Sequence, residues 1–153
     1  MTDKRLDLRT HLPYRFAKLS LRISRATTER YIQNTEISAR EWRALGMLGI
    51  KGPLTPSELS SLTGMDRATI TRASSHLVKQ GLLRRTPHGK DNRSLLLELT
   101  EEGQKRCDEI VPKTAKSGYL CAKLYTAGEF SLFIEFLDRM DTAVADGIFE
   151  QQD

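Results

Sequence analysis

The stretch from Thr55 to Thr100 limits what this chain can fold into more than any other part of it. Two short helical patterns come first, separated only by Leu62-Thr63-Gly64-Met65. Thr55 and Glu58 have the spacing of a capping box, and Pro56 fits the first helical position, where an N–H is not needed. Gly64 supplies the left-handed residue that ends this helix tightly. Asp66 is a strong N-cap for the second pattern, and Gly81 stands where that helix should stop. Two Leu-rich strand patterns follow, Leu82 to Thr86 and Ser94 to Leu99, the second with Leu95, Leu97 and Leu99 on one face. Between them lies the turn-forming, cationic Pro87-His88-Gly89-Lys90-Asp91-Asn92-Arg93.

The second helix separates into two faces. Ile70, Ala73 and Leu77 form a stripe for the core. Opposite them sit Ala68, Thr71, Arg72, Ser75 and Lys79, flanked by Arg67, Thr69 and His76. Small residues allow close approach and the cations attract, which suits a helix lying in a DNA major groove. Taken alone, the same face suits an ordinary solvated helix. The hairpin decides between them. From Asp66 to Arg93 there are seven Lys or Arg and two Asp, a local charge of +5 in a chain whose total is +4. Positive charge is therefore concentrated where helix and hairpin would meet a polyanion. Helix, tight turn, helix and basic hairpin make a winged helix-turn-helix.

At 153 residues the chain suits one compact subunit, with 39% hydrophobic and 29% charged residues. It has neither an apolar run long enough to span a membrane nor a secretory leader, so a cytoplasmic location is expected.

The flanks read as helices. Met1 to Thr10 is a polar arm. From His11 to about Asn34, Leu12, Phe16, Leu19, Ile23 and Ala26 form an apolar stripe, with Arg15, Lys18, Arg22 and Arg25 beside it. That basic row is either a solvated face or, at Arg15 or Arg22, a partner for a ligand carboxylate or phosphate. Ser38 to Glu41 is a second capping box, opening a helix to about Ile50 that buries Trp42, Leu45 and Leu48. Gly52-Pro53 stops it, and Leu54 is expected to add a short strand edge. Thr100 should cap a long helix to about Tyr125, interrupted and kinked by Pro112. Thr126 to Glu129 is a third capping box, opening a last helix with Phe130, Phe133, Leu137, Met140, Val144 and Ile148 along one side. So extensive an apolar side points to a second copy of the chain as partner.

The segment resembles the MarR family of bacterial transcription regulators. The resemblance rests on Met65-Asp66-Arg67-Ala68-Thr69-Ile70-Thr71-Arg72, on Leu77 and Gly81-Leu82-Leu83-Arg84-Arg85, and on Asp91-Asn92-Arg93 before Leu99-Thr100-Glu101-Glu102-Gly103. Thr71 stands where the family commonly has Ser, and the hydroxyl is retained. The resemblance implies a mainly α fold with a small antiparallel β-hairpin: an N-terminal dimerisation helix (1–35), a DNA-binding lobe (36–103) and C-terminal dimerisation helices (104–153). It implies a homodimer on a pseudo-palindromic double-stranded operator, released by a small aromatic or anionic effector, a carboxylate or an acyl-CoA thioester. Ala68, Thr69 and Arg72 would approach base edges, while Arg67 and Thr71 serve phosphates or bases. Ser75 and Lys90 would complete the DNA-binding surface, and Arg93 would enter the minor groove with Asp91 orienting it. Thr55 and Ser57 would offer backbone amides to phosphate. His11, Arg15, Arg22, Trp42 and Arg43 are the effector candidates, since the helix bearing Trp42 borders the effector pocket in that family.

Two alternatives share this module: a thiol-based redox sensor, and a winged helix that docks an acidic protein. Cys107 and Cys121 lie fourteen residues apart on one helix, about 21 Å by helical rise, too far to pair within a subunit. Lys105 and Arg106 favour a Cys107 thiolate, whereas Asp108 and Glu109 oppose it. No metal-ligand spacing, cofactor motif or catalytic constellation is present, so no metal, cofactor or enzymatic activity is expected.

Overall fold

The structure is a computed structural model that describes residues 7–32, 35–88 and 91–150, with the side chains of His88 and residues 91–94 outside that description. The helices are α1 (Leu12–Thr27), continued by a π-helical turn Thr28–Ile32, then α2 (Ala39–Lys51), α3 (Pro56–Thr63) and α4 (Arg67–Lys79). Strands β1 (Leu83–His88) and β2 (Asp91–Leu99) form an antiparallel hairpin, followed by α5 (Glu101–Ala122) and α6 (Ala127–Ala145). The mainly α architecture with one hairpin is that of a winged helix.

Local chemistry sets the helix ends. In α2 the Glu41 amide donates to Ser38 Oγ at 3.3 Å, and the Ser38 amide donates to Glu41 Oε2 at 2.7 Å. Thr55 with Glu58 and Thr126 with Glu129 repeat this reciprocal arrangement. The end of α4 is a Schellman motif: Leu82 N–H donates to Leu77 O and Gly81 N–H to Val78 O, at 2.9 and 3.0 Å. That closure requires φ of +73° at Gly81, which a residue bearing Cβ adopts only under strain. The Thr100 hydroxyl then joins two elements, donating to Gly81 O at 2.6 Å and accepting from Gly103 N–H at 3.0 Å.

The chain divides into two compact units, Met1–Thr114 and Ala115–Asp153, with the division inside α5. In the first unit Leu45, Leu48, Leu59, Ile70, Leu77 and Leu97 are buried together with Cys107 and Ile110. The opening turns of α5 thus belong to the lobe's core rather than to a separate helical region beginning at residue 104. Leu54 pairs with Leu97 as a one-residue bridge, giving the hairpin the short third edge expected. Along β2, Leu97 is buried, Leu99 half-buried and Leu95, nearer the tip, exposed.

Three expectations are revised. Both strands run further toward the tip than Leu82–Thr86 and Ser94–Leu99. Their pairing shifts between Pro87↔Leu95 and His88↔Asp91, so among the described residues none is paired with residues 92–94; a proline, lacking a donor, favours such an irregularity. The first helix changes to wider π geometry from Thr28 onward. Pro112 does not interrupt α5, which is one helix from Glu101 to Ala122, and the Thr114 hydroxyl donates to the Val111 carbonyl at 3.0 Å beside it.

No residue of α1 or α6 is buried. In α1, Leu12, Leu19 and Ile23 are exposed; in the second unit, Met140, Val144 and Ile148 of the α6 side are exposed, and Phe130, Phe133 and Leu137 half-buried. The Tyr125 and Phe133 rings stack with centroids 5.5 Å apart.

Candidate nucleic-acid interface

The two faces of α4 separate as the spacing requires. Ile70 and Leu77 are fully buried and Ala73 nearly so, while Arg67, Ala68, Thr71, Arg72, Ser75 and Lys79 are exposed. Asp66 starts the helix by accepting the Thr69 amide at 2.8 Å and the Thr69 hydroxyl at 2.7 Å. Those two bonds hold the Asp66 carboxyl below the usual carboxylate range. Thr69 is therefore not a surface residue. It is buried, with its hydroxyl given to Asp66 and accepting from Arg72 Nη2 at 3.3 Å. Its position in the first turn, under the cap, turns it inward, so it steadies Asp66 and Arg72 rather than reaching a base edge.

The cations are held along the face. Arg67 Nη2 donates to Ser57 Oγ at 3.4 Å, tying α4 to the start of α3. The Thr71 hydroxyl donates to its own helix at Arg67 O, 2.8 Å away. Arg85 of β1 donates through Nη2 to Ser75 Oγ at 2.9 Å, bringing a cation of the hairpin onto the helix face. Sequence reading did not single out Arg85; the period-2 alternation that sets it apart from Arg84 was the available signal. Arg84 instead pairs with Glu98 across the hairpin at 2.9 Å.

Thr55 is not free to offer its amide to phosphate, because that N–H donates to Glu58 Oε2 at 2.8 Å in the capping box. Ser57, one turn-position further in, is exposed. Lys90 lies outside the described residues. Asp91 and Arg93 lie in β2 as backbone, with their side chains outside the description.

The effector candidates are less concentrated. His11 is the N-cap of α1, its Nδ1 accepting the Tyr14 amide at 3.4 Å. Arg15 donates to the Arg9 carbonyl at 3.3 Å, and Arg22 and Arg43 are exposed. Trp42 is half-buried against the lobe's core. Among the described residues no hydrogen bond joins Arg15 or Arg22 to Trp42 or Arg43. A cleft of about 300 Å³ lies elsewhere, between Glu36, Ile37, Gln80, Glu102 and Arg106, and contains none of the candidates.

Cys107 is 2% exposed, and burial followed by the neighbouring Asp108 charge pushes its thiol up to about 11. The cationic neighbours do not prevail, since desolvation penalises the thiolate directly. Cys121 is exposed. Among the described residues no cluster of His, Cys, Asp or Glu has metal-binding geometry, and no helix is long and apolar enough to cross a membrane.

Comparison with known proteins agrees with this geometry. The model of the MarR family matches residues 35–94, from the approach to α2 into the second strand of the hairpin. The multiple antibiotic resistance protein MarR of Salmonella typhimurium is 29% identical over 79 residues, 52% of this chain and 55% of that protein. The transcriptional repressor YetL of Bacillus subtilis is 30% identical over 84 residues, 55% of this chain and 50% of that protein. This chain thus spans about half the length of the curated relatives it matches. The crystal structure of the PcaV transcriptional regulator of Streptomyces coelicolor, in complex with its natural ligand, superposes with a TM-score of 0.69 at 26% identity, over 92% of this chain and 98% of PcaV. With the winged-helix lobe, its capped α4 and the basic hairpin in place, residues 35–94 of the chain match the MarR family.

Proposed function

We propose that this chain is a homodimeric, ligand-responsive DNA-binding regulator that represses transcription from a pseudo-palindromic operator. The observation that carries the reading is the exposed face of α4. Ala68, Thr71, Arg72, Ser75 and Lys79 are all accessible, the helix is fixed at both ends, and Arg85 of the hairpin adjoins it. Small side chains admit the helix to the major groove, Arg72 reads base edges, and Arg67 and Lys79 meet phosphates. Arg93, at the hairpin tip by sequence, takes the minor groove, where a narrow groove attracts a guanidinium. The name of the Bacillus relative supports repression.

The dimer is supported by apolar side chains left exposed on α1 and α6, which a second copy would cover. A two-fold axis would present two copies of α4 to successive major grooves. The ligand response is supported by the basic row of α1 and by the PcaV complex. Arg15 and Arg22 of α1, with Trp42 and Arg43 of α2, would hold a small aromatic or anionic compound, a carboxylate or an acyl-CoA thioester. Its preference for the arrangement that cannot bind DNA would shift the population away from the operator.

The test is a gel shift against the duplex upstream of the protein's own gene, with and without aromatic acids and their CoA thioesters, paired with the mass of the free protein by light scattering. A dimer that shifts the duplex and is released by one compound supports the reading. Shifting with release by none removes the effector assignment. No specific shift at low salt removes the DNA reading and points to an acidic protein partner.

A further inference from the structure

His76 stands on α4 one turn beyond Arg72 and one turn before Lys79, beside the face assigned to DNA. Its Nδ1 contacts Oε1 of Glu41, a residue of α2 thirty-five positions earlier. The Glu41 side chain is 10% exposed, and its other oxygen closes the α2 capping box by accepting the Ser38 amide. Burial pushes this carboxyl up, but the Ser38 amide and hydroxyl and then His76 outweigh it and leave it below its ordinary value. Glu41 is therefore ionised at neutral pH and can only accept. The proton of the contact must sit on His76 Nδ1.

That requirement fixes the tautomer. With Nδ1 protonated, the neutral ring carries a lone pair at Nε2, whereas the imidazolium carries an N–H there. The His76 side chain is 49% exposed, and among the described residues no group bonds to Nε2. Glu41 of α2 is in contact with the ring, Arg72 and Lys79 stand one turn to either side of His76 along its own helix, and Arg85 of β1 binds the adjacent Ser75. Of α3, which also packs on α4, the nearest carboxylate in sequence, Glu58, is held by Thr55. A phosphate backbone laid along α4 would add negative charge beside the ring, which favours the imidazolium in the complex.

We propose that His76 is a proton-gated DNA contact: its Nε2–H donates to a backbone phosphate only when the ring is protonated, while Glu41 holds the ring in place through Nδ1. The neutral ring turns a lone pair toward the same anion and makes no bond. Operator binding is thus coupled to proton uptake at His76, and affinity rises as pH falls through the imidazole range. The proposal rests on the DNA-binding reading above.

The experiment measures affinity of the full-length protein for the upstream duplex by fluorescence anisotropy at about pH 5.5 and about pH 8, which bracket an ordinary imidazole. Wild type is compared with His76→Gln, whose amide N–H keeps a donor for Glu41. His11 and His88 remain in both proteins, so the difference isolates His76. Wild type should bind on the order of tenfold tighter at the lower pH, with a steeper dependence on salt by about 0.9 per phosphate engaged, and the variant should lose both differences. Equal pH dependence in the two proteins, with binding intact, would overturn the contact while leaving the DNA reading in place. No binding by wild type at either pH would bring down both. A second readout needs no variant: the His76 imidazole titration followed by NMR should move to higher pH when the duplex is added. An unmoved titration in a formed complex would overturn the proposal.

Discussion

The Cys107 thiol donates to the Leu45 carbonyl at 3.4 Å, inside the core that α2 shares with the start of α5. A thiol so placed is a small apolar core residue with one weak hydrogen bond. Its raised pKa, about 11, leaves very little thiolate at neutral pH. Alkylation of the native protein near pH 7.5 should therefore modify Cys121 and spare Cys107 until denaturant is added, as mass spectrometry of digested peptides would read. Labelling of Cys107 at a rate like that of Cys121 would contradict the packing and restore the redox alternative.

Gly103 is set by a close approach rather than by its dihedral angles. A Cβ added there would lie 2.0 Å from the Leu82 carbonyl oxygen, which also accepts the Thr100 amide at 3.1 Å. Backbone must move to admit it, so Gly103→Ala should destabilise by about 3 kcal/mol or more, at the upper end of overpacking costs. Gly118, in the same helix, has nothing within 4 Å of such a Cβ. Gly118→Ala should leave stability unchanged or raise it by up to about 1 kcal/mol. Urea denaturation of both variants checks the contrast, and equal midpoints would contradict it.

Acid stability follows from Glu41. Its folded pKa lies below the ordinary value of 4.5, so the folded state favours the ionised form. The resulting stabilisation is fully present above the unfolded pKa and is lost as pH falls through the folded one. Urea midpoints should thus fall on acidification below about pH 4.5, and Glu41→Gln should flatten part of that fall. Asp66, Glu98 and Glu129 are lowered in the same sense, so some slope persists in the variant. A slope equal to that of wild type would contradict the part assigned to Glu41.

Helix ends were legible because their determinants are local. Ser38 with Glu41, Thr55 with Glu58 and Thr126 with Glu129 lie three residues apart, and each pair closes the box its spacing predicts. Gly81 ends α4 for the same reason. What sequence did not disclose depends on contacts far along the chain. Glu41 reads as a capping residue, and nothing near it marks His76 as its second partner. Cys107 reads as a thiol among charges, while its burial comes from α2. Thr69 shows a third kind of miss: helical periodicity placed it beside the polar face, but the Asp66 cap draws it inward. The hairpin was found by its turn residues, yet its strands extend past them, since a proline and a shifted register still permit pairing.

If α4 and the hairpin read a specific duplex, one titration will show it. Wild type, Arg72→Ala and Arg93→Ala would be titrated into the upstream duplex and into a scrambled duplex of equal length, at one fixed salt concentration. Wild type should prefer the upstream sequence by at least about a thousandfold. Each variant should lose about tenfold or more of that affinity while keeping the wild-type thermal melt. Equal affinity of wild type for the two duplexes, or variants that bind as tightly as wild type, would contradict it.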